Sequence, residues 1–330
     1  MNRQSEVKGA TRMFFHTKQL QYPVRVDKPD PVYARQLQEL IGGQFGEMAV
    51  MTQYLFQGWN LRGATDDERL RRIKDMLLDT ATEEIGHVEM LATCVGMLLD
   101  GASPEQQEEA AKGDPVVYGV LSGMNPHHLI VSGLGARPVD SAGNPFNAGY
   151  TIGSGNVVAD LYANVNAEMQ GRLQAARLYE MTSDTGVRDM LSFLIARDRM
   201  HQNQWLAAIE ELGGPTEVMP VPVTFPLEKE VQEVSYAFID FSKDPDGASR
   251  RGRWAHGRSI DGKGRFTYVE QPTARGEAPA LAAAPPTLHN ALMGGPVGRE
   301  KPARGKSERG KSVIDRVTDA IAGDEEQPQG

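Results

Sequence analysis

Four stretches of the chain repeat apolar residues at the three- and four-residue steps of an α-helix, and between them the pattern lapses. The first predicts a continuous helix from Val32 or Tyr33 to about Asn60, with Leu37, Leu40, Ile41, Phe45, Met48, Met51 and Leu55 at helical spacing. In the second, Thr65 and Glu68 have the spacing of a capping box, and Leu70, Ile73, Leu77, Ile85, Val88 and Leu91 continue the stripe to about Leu99 before Gly101 stops it. The third is expected from near Asn156 to Met181. A turn over 182–186 follows, and Ser183 or Asp184 is placed to cap a fourth helix that ends at Gly213-Gly214-Pro215. Short loops within each half predict two antiparallel helix pairs.

Between Gly101 and Gly155 the chain turns rich in Gly, Pro, Asn and Ser. That length suits one long crossover rather than a tight turn, so the expected class is an all-α core, a ferritin-like four-helix bundle over residues 32–214. Residues 1–31 read as an extended N-terminal arm, since LQYPVRV alternates apolar and polar positions before the Pro29 and Pro31 breakers. Residues 215–271 read as a long irregular wrapping tail with short extended pieces in VPVTFPLEKE and AFIDFS. Residues 272–330 are low-complexity and read as largely disordered, with a short amphipathic helix around Val313 to Ile321.

Composition narrows the classes. The 330 residues can bury a substantial core, while the net charge of -9 argues against general nucleic-acid binding. No apolar run has the length of a membrane span, and MNRQSEVKGATRMFF lacks the hydrophobic core of a signal peptide. Cys94 is the single cysteine, which suits a reducing compartment; the expectation is a soluble cytoplasmic protein.

The chemistry lies where polar residues interrupt the apolar stripes. Glu47 is in register with Leu40, Met51 and Tyr54, and Glu168 with Leu161, Val165 and Ala175. His87 follows Glu84 by three residues and lines up with Leu77, Met90, Leu91 and Cys94; His201 follows Asp198 by three and lines up with Leu191, Leu194 and Trp205. Residues three apart share a helix face and can hold one ion between them. A lone core carboxylate would be costly, and two divalent cations would compensate the whole set. The order acid, acid-His, acid, acid-His, one per helix, is the inventory of a dinuclear metal site inside a four-helix bundle. These donors bind iron as readily as manganese, so spacing alone leaves the metal open.

The stretches MFFHTKQLQYPVRVDKPDP, LIGGQFGEM, KDMLLDTATEEIGHVEML, GNVVADLYANVNAE, RDRMHQNQW and RWAHGRSIDGKGRF, in this order over residues 13–270, resemble the dinuclear manganese catalases. The resemblance implies two manganese ions per subunit, with Glu84 bridging them, Glu47 and His87 completing one site, and Glu168 and His201 the other. Tyr54 matches a tyrosine that hydrogen-bonds a ligand. Asp198 stands where members often carry a glutamate that serves proton chemistry without binding metal, and is implied as the catalytic acid. Ala167 stands where some members carry an arginine; Arg172, one turn onward, is the nearest substitute. Asp75 and Asp79, with Asp240, Ser242 and Asp244, resemble oxygen donors that hold calcium in such proteins.

The resemblance further implies hydrogen peroxide as substrate, dismuted to water and dioxygen, no membrane or nucleic-acid partner, and a hexamer. Two rivals follow from the same residues: a di-iron ferritin-like peroxidase or oxidase, and a non-enzymatic coat protein or metal store. Metal content and oxygen release without a reductant separate them.

Overall fold

In the computed structural model, residues 16–101, 128, 131–241, 248–270, 274 and 276–279 are described. The chain divides into a compact unit, Met1–Pro272, and a second, Thr273–Gly330, whose few described residues are exposed. Everything below concerns the first unit.

The predicted helix over 32–60 is three pieces: α1 (Pro31–Leu37), α2 (Glu39–Gly42) and α3 (Glu47–Asn60). The break has a packing cause. A Cβ on Gly42 would fall 2.5 Å from the backbone of Val139, so this turn leaves room for the returning crossover only because it has no side chain. Gln38, fully buried at the joint, donates to the carbonyls of Arg137 and Val139 at 2.7 and 3.2 Å and accepts from Arg137 N at 2.9 Å. Apolar periodicity cannot report a neighbour that arrives a hundred residues later.

The other three long helices follow the expected limits closely. The second, α4 (Glu68–Leu99), is capped by Asp67, whose carboxylate accepts from Arg69 N at 2.8 Å; Thr65 is not the cap. Helix α5 (Val157–Glu180) starts at Asn156, which accepts from Val158 N and Ala159 N, and α6 (Thr185–Glu211) is capped by Asp184 through Val187 N. Helix α3 pairs chiefly with α4 and α5 with α6. The tail contributes a small sheet: β1 (Ala237–Asp240) runs parallel to β3 (Arg265–Glu270), and β2 (Gly257–Arg258) pairs antiparallel on its other side.

The bundle core has two apolar layers. One gathers Leu37, Leu40, Met90, Leu91, Leu98, Met190, Leu191 and Leu194; the other Val50, Tyr54, Ile73, Leu77, Leu161, Trp205 and Ile209. Along α4, α5 and α6 the segments between these layers are 82–89, 168–174 and 196–204, which carry Glu84, His87, Glu168, Asp198 and His201, so the polar interruptions form a belt across the middle of the bundle. The arm lies along α4 and α6: Tyr22 stacks on Phe193, Arg25 pairs with Asp189, and Asp27 accepts from Thr185 N at 2.7 Å. Among the described residues, no helix is long and apolar enough to cross a membrane.

Candidate metal centre

Each element delivers its belt residue for a local reason. Glu47 is the first residue of α3 because the chain turns at Gly43 and Gly46 and restarts there; a carboxylate at a helix N-terminus meets the positive end of the dipole. Glu84 and His87 share a face of α4, and Asp198 and His201 share one of α6. Glu84, His87, Glu168, Asp198 and His201 are all buried, while the Glu47 side chain keeps 12% of its surface.

The belt gathers two groups of ligand atoms, each within 4.8 Å of one another: Glu47, Glu84 and His87, and Glu84, Glu168 and His201. Glu84 is common to both. Its Oε2 lies 2.5 Å from His87 Nδ1 and its Oε1 lies 3.0 Å from His201 Nδ1, one oxygen toward each ring. Glu47 Oε2 is 3.8 Å from His87 Nδ1, and Glu168 Oε1 is 3.4 Å from His201 Nδ1. The imidazoles face each other with centroids 5.9 Å apart and planes 26° from parallel. Tyr54, fully buried, donates its hydroxyl to Glu168 Oε1.

This set fits cations. Glu84 Oε1 and His201 Nδ1 are buried without a hydrogen bond, although they stand 3.0 Å apart. Two such atoms aimed at one point are what a metal ion would satisfy. Carboxylate oxygens with imidazole nitrogens suit a first-row divalent metal.

The electrostatics agree. Burial, and next the Glu84 charge, push Glu47 up to about 8. Burial also raises Glu168, and it raises Asp198 well above the usual carboxylate range with Glu47, Glu168 and Glu84 adding to it. At His87 and His201 burial opposes the charged form, but the surrounding carboxylates outweigh it and both are raised, His201 to about 12. Glu84 moves down to about 2, since the two histidines outweigh its burial.

The five expected ligands therefore converge, and Tyr54 touches one of them. Asp198 is buried within the field of the belt but belongs to neither ligand group. Ala167 is buried in an apolar layer, and Arg172 keeps its Nε buried without a hydrogen-bond partner. The expected calcium donors are not gathered among the described residues. Asp75 and Asp79 are exposed on α4, Asp240 is buried on β1 and accepts from the Tyr268 hydroxyl at 2.5 Å, and Ser242 and Asp244 lie outside the described residues.

The periodicity gave no sign of Glu83, which faces the histidines from behind. The signal was its place four residues before His87, matched by Arg197 four before His201. Also unanticipated is a buried amide cluster. Gln53 and Gln57 both donate to Asn164 Oδ1, at 2.7 and 2.9 Å, and they anchor Ile152 of the crossover through its backbone.

The comparisons with known proteins agree with this geometry. The family model described as manganese containing catalase matches residues 13–301. The chain belongs to the manganese-containing catalase family. A Bacillus subtilis protein named manganese catalase is 55% identical over 285 residues, covering 86% of this chain and 99% of that one. Another from B. subtilis strain 168, the uncharacterized protein YjqC, is 56% identical over 280 residues, covering 85% and 98%. Among solved structures, wild-type KatB, a manganese catalase from Anabaena, aligns with a TM-score of 0.59 at 27% identity, covering 79% of this chain and all of that one. Membership in this family accounts for the helical bundle.

Proposed function

We propose that the protein is a catalase that disproportionates hydrogen peroxide to water and dioxygen at two manganese ions per subunit. The observation that carries this reading is one buried carboxylate, Glu84, with one oxygen turned toward each of two histidines, each of which has a further glutamate beside it. In this reading Glu47, Glu84 and His87 hold one ion, and Glu84, Glu168 and His201 the other. A bound manganese pair supplies two one-electron changes, which match the two electrons given or taken by peroxide in each half-reaction.

The side chains do the rest. Reduction of peroxide to two waters consumes two protons, and oxidation of a second peroxide to dioxygen returns two. In this reading Asp198, buried beside the ligand groups, is the side chain that would hold one meanwhile on its carboxyl. The Tyr54 hydroxyl holds Glu168 in orientation. The apolar layers above and below the belt limit access to small molecules such as peroxide.

A calcium ion held by Asp75, Asp79, Asp240, Ser242 and Asp244, a hexameric assembly and a cytoplasmic location are the further parts of this reading, of which the calcium set is not gathered among the described residues. The test is metal analysis of the purified protein together with an oxygen electrode. The expected result is about two manganese ions per chain and oxygen release from peroxide without a reductant. Two bound iron ions, or oxygen uptake in place of release, would favour the di-iron reading. Two bound manganese ions with no oxygen release would favour a non-enzymatic role.

A further inference from the structure

Behind the two histidines lies a carboxylate that belongs to neither ligand group. Glu83 Oε2 is within hydrogen-bond distance of His201 Nε2 at 3.3 Å, and Glu83 Oε1 is 3.5 Å from His87 Nε2, a buried nitrogen that has no hydrogen-bond partner. A histidine that turns Nδ1 toward a cation carries its proton on Nε2, and an acceptor at that proton sets the tautomer and the plane of the ring. Here one side chain offers one oxygen to each ring. It repeats on the outer side of the histidines the arrangement that Glu84 has on the inner side.

Glu83 is itself held from two directions. Arg197 of α6 donates to it through Nε at 2.6 Å and a terminal nitrogen at 3.2 Å, a fork that leaves the carboxylate little freedom to rotate. From the N-terminal arm, Gln21 Nε2 donates to Glu83 Oε1 at 3.1 Å. The next arm residue, Tyr22, stacks on Phe193 with centroids 4.7 Å apart, and Phe193 meets the His87 ring edge-on at 6.3 Å. Gly86 leaves room for this approach: a Cβ there would come 3.1 Å from Gln21 Oε1. An open depression lined by Gln21, Glu83, Phe193 and Arg197 brings solvent to within one side chain of the histidines.

We infer that Glu83 is a shared positioning residue for His87 and His201, and that the N-terminal arm, through Gln21 and Tyr22, holds it in place, so that docking of the arm and order at the cation site are coupled. This rests on the reading that both histidines bind cations through Nδ1. Three consequences follow. Loss of the Glu83 acceptor weakens both cation sites together. Loosening the arm weakens them without touching a ligand. Because coupling is reciprocal, filling the sites tightens the arm.

The experiment titrates manganese(II) into chelator-stripped full-length protein and follows bound metal by equilibrium dialysis and the electron paramagnetic resonance of the metal pair. Three forms are compared: wild type, Glu83→Gln, and the double variant Gln21→Ala with Tyr22→Ala. Failure of the wild type to take up two ions would end the cation-site reading itself. With the wild type loaded, the expectation for Glu83→Gln is a 10- to 100-fold weaker affinity for both equivalents and an altered pair spectrum. Unchanged affinity, or a loss confined to one equivalent, would overturn the shared role.

Should Glu83→Gln not fold, the arm variant decides. It keeps Glu83 and Arg197, and its expected loss is about 5-fold or more. In wild type, amide exchange over residues 16–26 is expected to slow when manganese is added; arm exchange indifferent to metal, with unchanged affinity in the double variant, would contradict the coupling.

Discussion

The two apolar layers of the bundle and the polar belt between them are built on the same helices, yet they are held together by different physics. In the layers, residues such as Leu91, Leu191 and Leu194 are completely or almost completely buried, and their contribution is burial, which needs no partner of particular chemistry. In the belt, four acids and two histidines crowd the same cross-section, and burial alone works against them. Thus the layers are self-sufficient and the belt is complete only with a counter-charge. The difference teaches where stability and function separate in this chain: the layers secure the bundle, and the belt sacrifices some of that stability to create a place for ions.

That contrast can be broken most sharply at Glu84. Glu84→Gln removes a charge from both ligand groups while keeping nearly the same shape. Metal content is expected to drop below one ion per chain, and oxygen release to fall about 100-fold or more, the loss exceeding that of an outer-partner mutation. Inductively coupled plasma analysis and an oxygen electrode check it. A layer mutation gives the opposite pattern. Leu91→Ala is expected to cost about 2–5 kcal/mol of stability in denaturant unfolding, with two ions still bound at temperatures where the protein is folded.

Metal removal sharpens the contrast through pH. The ordinary carboxylate range lies near 4, and Glu47 is raised to about 8, so between those values its ionisation works against the metal-free fold. His87 and His201 are raised, so their stabilising contribution is full below about 6.5 and is lost as pH climbs toward their shifted values. Glu84 is lowered, and its contribution is constant across this window. The moving terms of Glu47 and the histidines have the same sign, as do those of Glu168 and Asp198, which are raised too, so stripped protein is expected to lose stability from pH 6 to 9. Loaded protein melts higher by about 5–10 °C at saturating manganese, and the gap widens with pH. A gap that narrows toward pH 9 in differential scanning calorimetry would break the comparison.

The smallest effect is expected at Tyr54→Phe, which leaves the apolar layer filled and deletes the donor to Glu168. The expectation is about 10-fold weaker metal binding with little change in the stability of stripped protein. Equilibrium dialysis and thermal unfolding of the same sample read the two quantities side by side.

Much of the layer-and-belt plan was legible in the chain. Helices α4, α5 and α6 announce themselves by long apolar stripes with polar caps at Asn156 and Asp184, and the belt is visible as acids and histidines out of place in those stripes. What stayed hidden depends on contacts distant in sequence. The chain breaks between α2 and α3 because Val139 arrives against Gly42, and that break is what sets Glu47 at the start of a helix. Glu83 takes on a role only when the fold brings Arg197, Gln21 and both histidines around it. The three-stranded sheet of the tail likewise pairs β1 with β3 across an interval whose composition favours turns.

The central claim is that one buried carboxylate holds two cations. Anomalous X-ray scattering at the manganese edge, on crystals of the loaded protein, tests it directly. The account predicts two peaks flanking Glu84, one beside Glu47 and His87 and the other beside Glu168 and His201. A single peak, or peaks that leave either histidine without a metal neighbour, would contradict it.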